Sequence, residues 1–245
     1  MVSVCLATYN GEKYIKEQIN SILSQLSDYD EIVISDDLST DNTLKIIRSF
    51  NDPRIKIYLN NKTKQQFLID YPTHNFENAI KNAKGDYIFL ADQDDIWLPN
   101  KYKTILYHLK LSDIVITNCK VTDAELNIIH ESYFNYVHVG KGFWKNLYRN
   151  THLGCCMAFN KKVLSKLLPF PKSGVGHDFW IAVFGGLFYD VLYIDEPYIL
   201  YRKHENNVTP SGLKSNNPIL FKIHYRFLII FNTIIRLINL HLSKK

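Results

Sequence analysis

The chain is predicted to adopt an α/β fold, a mostly parallel central sheet with helices on both faces. Three observations point there. Short apolar runs alternate with segments of helical period along the first half of the chain. Polar stretches, two of them acid-rich, Thr8-Tyr9-Asn10, Asp36-Asp37 and Asp92-Gln93-Asp94, close three of those runs, which is where open α/β sheets bind ligands. A length of 245 residues with 46% apolar content is enough for a sizeable core.

Val2 to Ala7 reads as the first strand. A helix follows with Ile15, Ile19, Ile22, Leu23 and Leu26 on one face and Asn10 as its cap. Glu31 to Ile34 is a second strand, and a helix starts near Asp41 with Leu44, Ile47 and Phe50 turned inward. Ile55 to Tyr58 is a third strand, Asn75 to Ala83 a helix ended by Gly85, and Tyr87 to Ala91 a fourth, buried strand. Beyond it, Ile114 to Thr117 and Gly154 to Phe159 read as strands, with a loop-rich aromatic insertion over residues 123–150. His177-Asp178 opens an apolar helix that Gly185-Gly186 ends. No internal repeat or low-complexity linker divides the chain, so one domain (1–213, in halves 1–118 and 119–213) with a tail (214–245) is expected.

The charge is unevenly placed. Lys214, Lys222, Arg226, Arg236, Lys244 and Lys245 follow the last acid, Glu205, and without them 23 basic residues face 24 acidic ones. A near-neutral body argues against a nucleic-acid cleft and gives the basic tail a partner of its own. At 100° per residue, Lys222, Arg226, Thr233, Arg236 and Lys244 fall within an arc of roughly 80°, with apolar residues around most of the rest. Charges break the run short of the ~20 residues of a spanning helix. The expectation is a basic amphipathic helix in a membrane interface, or one that covers the core or a dimer partner. No secretion signal is visible, so Cys5, Cys119, Cys155 and Cys156, which form no CxxC pair, are expected as reduced cytosolic thiols and the sequons at Asn61 and Asn207 as chance.

No GxGxxG follows the first strand and no P-loop or GxSxG elbow occurs, which removes dinucleotide, P-loop and simple hydrolase readings. What remains is the acidic turn Asp92-Gln93-Asp94-Asp95 behind a buried strand. Mg²⁺ and Mn²⁺ favour such hard oxygen ligands, with substrate phosphates completing the shell. Taken alone, the turn reads first as a helix N-cap before Pro99. Asp36-Asp37 could accept the imide N–H of uracil or thymine, or cap the next helix; Tyr9 could stack on that base, or pack at the strand end.

VSVCLATYNGEKYIKEQINSILSQ, EIVISDDLSTDNT and GDYIFLADQDDIWLPNK, followed by GCCMAFN, GHDFWIAVFGG and IDEPYILYRKHENNV, resemble the inverting family 2 glycosyltransferases of GT-A fold, rhamnosyltransferase-like subgroup. The resemblance spans residues 2–210. It implies transfer from a UDP- or dTDP-sugar, dTDP-rhamnose by subgroup, to a glycan or lipid-linked acceptor in cell-surface polysaccharide assembly, at the inner face of the membrane. By motif, Thr8, Tyr9, Asp37 and Asp92 line the nucleotide site. Asp94, Asp92 and His204 hold Mn²⁺ or Mg²⁺, and Arg202 meets the diphosphate. Asp178 is the base, held ionised at a helix N-terminus. Trp144, Gly154 and His177 lie on the acceptor side, among aromatics (Tyr133, Phe134, Tyr136, Phe143) that suit sugar stacking. The rival readings are a sugar-nucleotide pyrophosphorylase, which usually starts with a Gly-rich basic loop, and a non-catalytic carbohydrate-binding protein, which would not need Asp94 and Asp178 together.

Overall fold

Alternate side chains along the central strands feed two separate cores, and this divides the helices between two faces of one sheet. In a computed structural model describing residues 1–61, 65–148, 150–205, 207 and 218–242, β1 (Val2–Thr8), β2 (Glu31–Asp36), β3 (Ile55–Leu59) and β4 (Tyr87–Ala91) run parallel in the order β3-β2-β1-β4. Val4, Leu6, Ile32, Ile34 and Phe89 meet α1 (Ile15–Leu23), α2 (Thr43–Ser49) and α4 (Lys101–Leu109) through Ile15, Ile19, Ile22, Ile47 and Ile105. Cys5, Val33, Ile88 and Leu90 point the other way, onto Phe76, Ala79 and Ile80 of α3 (Asp70–Asn82) and onto Trp180 and Phe184.

The second half completes the sheet with both strand senses. β8 (Met157–Asn160) lies antiparallel between β4 and β6 (Ile114–Thr122), and β9 (Val191–Arg202) runs parallel to β6. Short β5 (Ile96–Trp97) and β7 (Ile128–His130) add antiparallel edges to β9 and β6. β9 is absent from the expected elements, because Asp195-Glu196-Pro197 interrupts its apolar pattern. The ladder accommodates that interruption with register shifts opposite Thr117, Asn118 and Lys120. The aromatic insertion folds into β7, α5 (Tyr133–Val137) and α6 (Phe143–Tyr148). Gly154–Cys156 is a 3₁₀ turn rather than the start of a strand. The His177-Asp178 segment opens α8 (His177–Phe179), which continues as a π turn, Trp180–Phe184, and a 3₁₀ turn, Gly185–Leu187. Between β8 and α8, Leu164–Leu167 forms α7.

The C-terminal helix α9 (Ile219–Leu242) inverts the expected polarity. Its cations face the body. Arg226 donates to the carbonyls of Leu147 and Tyr148, and Arg236 to those of Lys166, Leu168 and Pro169. Ile229 and Thr233 are buried on the same side, while Phe227, Phe231, Ile234, Leu237 and Ile238 face outward. The expectation that charges cut the run short of a membrane span also fails. Lys222–Leu242, 21 residues, is long and apolar enough to cross a membrane by length and composition. Lys214, Lys244, Lys245, the 213/214 boundary and the sequon threonines Thr63 and Thr209 lie outside the described residues.

Candidate active site

The carboxyl ends of β1, β2 and β4 meet at one edge, and Gln93 stitches two of them together. Its Oε1 accepts Thr8 Oγ1 at 2.6 Å and the Tyr9 N–H at 2.8 Å, and its Nε2 donates to Tyr9 O at 3.1 Å. Gly11 has no side chain because a Cβ there would run into the Gln93 amide. Asp37 is buried, takes a 2.7 Å hydrogen bond from Asn60 Nδ2, and donates its own N–H to Thr8 O. Its neighbour Asp36 does the capping, binding the Ser39 N–H and hydroxyl. That division separates the two acids: one closes the turn and the other lies at the pocket edge with Thr8. Tyr9 is 42% exposed beside them.

The acids of the Asp92–Asp95 turn point to different partners. Asp94 Oδ2 meets His204 Nε2 at 2.8 Å, with Asn207 Nδ2 at 3.4 Å. Two potential ligand atoms therefore converge from residues 110 positions apart. Asp95 is fully buried and accepts the Arg202 N–H. Asp92 is partly buried. Burial and the nearby Asp94 and Asp178 charges push its carboxyl up to about 7.

Arg202 is 4% exposed and its guanidinium is occupied within the protein. Nε donates to Asp94 O at 2.9 Å, one terminal nitrogen to Ala124 O at 2.8 Å, and the other to Glu17 at 2.7 Å. The guanidinium also stacks over Tyr14, 4.3 Å from the ring centroid, and Tyr14 lies 4.9 Å from the His204 ring. In this structure Arg202 clamps the end of β9 to the acidic turn and to α1, where the sequence motif suggested an open phosphate contact.

Asp178 comes from the second half of the chain, in α8, and α3 holds the loop that leads into it. Asp70, in the first turn of α3, binds the Ser173 hydroxyl and the Gly174 N–H, and Thr73 accepts the His177 N–H. Asp178 Oδ1 takes the Phe179 N–H at 2.7 Å and Oδ2 the Asn150 amide at 3.2 Å. These bonds favour the carboxylate, yet burial outweighs them and raises its pKa to about 6. Burial thus works against the ionised form expected of a base, and at about 6 the carboxyl is still ionised at neutral pH.

Gly154 and His177 are one packing unit. A Cβ on Gly154 would collide with His177 Nε2, and the His177 ring lies 4.3 Å from Phe76. Both ring nitrogens are buried without a hydrogen-bond partner, and burial lowers the pKa to about 3, so this imidazole is neutral. Gly154→Ala is expected to push His177, and Asp178 after it, out of place, at about 1–3 kcal/mol of stability. A urea melt unchanged from the parent would overturn that packing account.

On the acceptor side, Tyr133, Phe134 and Phe143 pack into the cores, whereas Trp144 is 79% exposed. Trp144, Tyr148, Val137 and Thr151 border a cavity of about 450 Å³. Thr151 adjoins Asn150, the amide that holds Asp178. Gln93, Asn150, Asn207 and Glu17 escape sequence reasoning. Each acts through polar contacts that leave no periodic or charge-cluster signal.

A sheet of this order, with polar strand ends and acids from both halves of the chain brought near them, is a GT-A fold. The family description "Glycosyl transferase family 2" matches residues 3–168, and the chain belongs to that family. It is 30% identical to the dTDP-rhamnosyl transferase RfbG of Shigella flexneri, covering 90% of this chain and 77% of the relative. It is 28% identical to the UDP-Glc:alpha-D-GlcNAc-diphosphoundecaprenol beta-1,3-glucosyltransferase WfgD of Escherichia coli, covering 70% and 64%. The fold matches that of S. aureus TarS 1-349 in complex with UDP-GlcNAc, with a TM-score of 0.65, 22% identity, and coverage of 87% of this chain and 62% of that one.

Proposed function

We propose that this glycosyltransferase moves a sugar, with inversion, from a UDP- or dTDP-sugar to a glycan or lipid-linked acceptor in cell-surface polysaccharide synthesis, at the cytoplasmic face of the membrane. The observation that carries this reading is that Asp178, held by Asn150 and the Phe179 N–H, lies close enough to the Asp92–Asp95 turn for its charge to act on the Asp92 carboxyl. Inversion is a single displacement at the anomeric carbon. Asp178 takes the proton of the attacking acceptor hydroxyl, and the nucleoside diphosphate leaves from the far side. Asn150 and the Phe179 N–H orient the base. Thr8, Tyr9 and Asp37 hold the nucleotide, with the Asp37 carboxylate selecting a base that carries an imide N–H.

The converging Asp94 and His204 atoms would hold Mn²⁺ or Mg²⁺, with Asp92 and the donor's phosphate oxygens supplying further hard ligands. Such an ion neutralises charge on a departing diphosphate. Arg202 supports this site by holding the acidic turn. The closeness of RfbG favours a dTDP-sugar and that of WfgD a UDP-sugar and a lipid-linked acceptor.

The test is a panel of UDP-, dTDP- and GDP-sugars with Mn²⁺ or Mg²⁺, scored for binding and slow hydrolysis. Binding confined to UDP or dTDP donors is expected, and indifference to every sugar nucleotide would remove the reading. In the same assay Asp94→Ala is expected to abolish the metal-dependent part of donor affinity; unchanged affinity would reassign the metal. The outward apolar face of α9, rather than its basic one, is the membrane contact. Phe227→Glu with Phe231→Glu is expected to release the protein from lipid vesicles, and retained binding would return α9 to a purely structural cover.

A further inference from the structure

The acidic turn presents two separate sets of ligand atoms. Asp94 is turned to His204 and Asn207. Asp92 and Asp95, with the Cys155 thiol, place one ligand atom each within 4.8 Å of one another. Cys155 is 1% exposed and Asp95 fully buried. Asp95 uses only Oδ1, on the Arg202 N–H, and its Oδ2 is buried with no hydrogen-bond partner. A buried carboxylate oxygen left without a donor is costly unless a proton or a cation completes it, and burial with the neighbouring Asp94 and Asp92 charges pushes the Asp95 carboxyl well above its ordinary range. Asp92 is the partly exposed member and gives the cluster its access from solvent.

We propose that Asp92, Asp95 and Cys155 form a second cation site, selective for borderline and soft divalent ions such as Zn²⁺ or Cd²⁺. A thiolate with two carboxylates is a poor set for Mg²⁺ and a good one for zinc-like ions, which accept three protein ligands and one open position. The Cys155 proton leaves to solvent as the metal–sulfur bond forms. The surroundings balance the charge. Lys101 is buried directly behind the cluster, its Nζ donating to Cys155 O at 2.9 Å and lying 4.4 Å from the Trp97 ring centroid. Three anionic ligands offset a divalent ion together with that ammonium. The metal proposed above uses Asp94, His204 and Asp92, so the two sites compete for Asp92. A thiophilic ion thereby withdraws Asp92 from the donor side and inhibits. This inhibition rests on the function proposed above, but metal binding itself does not.

The test is titration of the full chain with Cd²⁺ alone, following the ultraviolet thiolate-to-cadmium charge-transfer band. One equivalent of Cd²⁺ is expected to saturate the band. Cys155→Ser is expected to lose it, and Cys119→Ser to keep it. Asp95→Asn is expected to weaken binding by more than about tenfold, the smallest loss typical even of an outer-shell partner. Circular dichroism confirms that each variant is folded, and if Cys155→Ser fails to fold, Asp95→Asn carries the test. A parent without the band, a band that survives Cys155→Ser, or Asp95→Asn binding as tightly as the parent overturns the site. None of these results bears on sugar-nucleotide binding, which the donor panel reads separately.

Discussion

Asp178→Asn is expected to bind donor as the parent does and to lose transfer by about 10²–10⁴-fold, the usual contribution of a positioned general base. The amide keeps the Phe179 N–H and approximates the carboxylate's shape but cannot take a proton. The parent's pH profile should report the same group. Because burial places its pKa at about 6, the active, ionised form accumulates as pH rises through that value, and kcat/KM should climb there and then flatten. Near-parental turnover in Asp178→Asn would reduce Asp178 to a cap. A profile flat between pH 5 and pH 7, two rough bounds on the usual base range, would detach the base from this carboxyl.

Arg202→Ala carries the largest expected cost in stability. The guanidinium donates to two buried or half-buried carbonyls, of Asp94 and Ala124, and to Glu17. A hydrogen bond to a charged group contributes roughly 1.5–3 kcal/mol. The exposed Glu17 adds little. Loss of both carbonyl contacts predicts a fall of about 3 kcal/mol or more in a denaturant melt. Arg202→Lys should not rescue it, since an ammonium cannot reach three divergent partners with a planar fork. A change below about 1 kcal/mol, or full rescue by lysine, would contradict the clamp.

The first half of the fold is legible because burial and period agree there. Ile15, Ile19 and Ile22 face one core and the strand residues alternate between two. The strand-end rule then brings Thr8, Asp37 and Asp92 to one edge without any knowledge of the pairing. Pairings across long separations are of another kind. Asp94 with His204, and Asp178 with Asn150, come together through β9 and the 170s loop, and only motif resemblance brought the first pair into view. β9 itself was hidden because ladder bulges absorb the polar Asp195-Glu196-Pro197. The direction of α9 was also beyond the sequence. Periodicity defines two faces of a helix but not which one meets the protein. Here the carbonyls of residues 166–169, at the end of α7, and of Leu147 and Tyr148 in α6 provide sockets for the two arginines.

Those sockets have a consequence for how the enzyme would be handled. Arg226 and Arg236 grip uncharged carbonyl oxygens rather than carboxylates, and both are partly buried. Concentrated electrolyte therefore has little ionic attraction to screen between α9 and the body. A high-salt wash should leave α9 in place and leave membrane-held protein on its bilayer. A mild detergent, competing for Phe227, Phe231 and Ile238, should extract it.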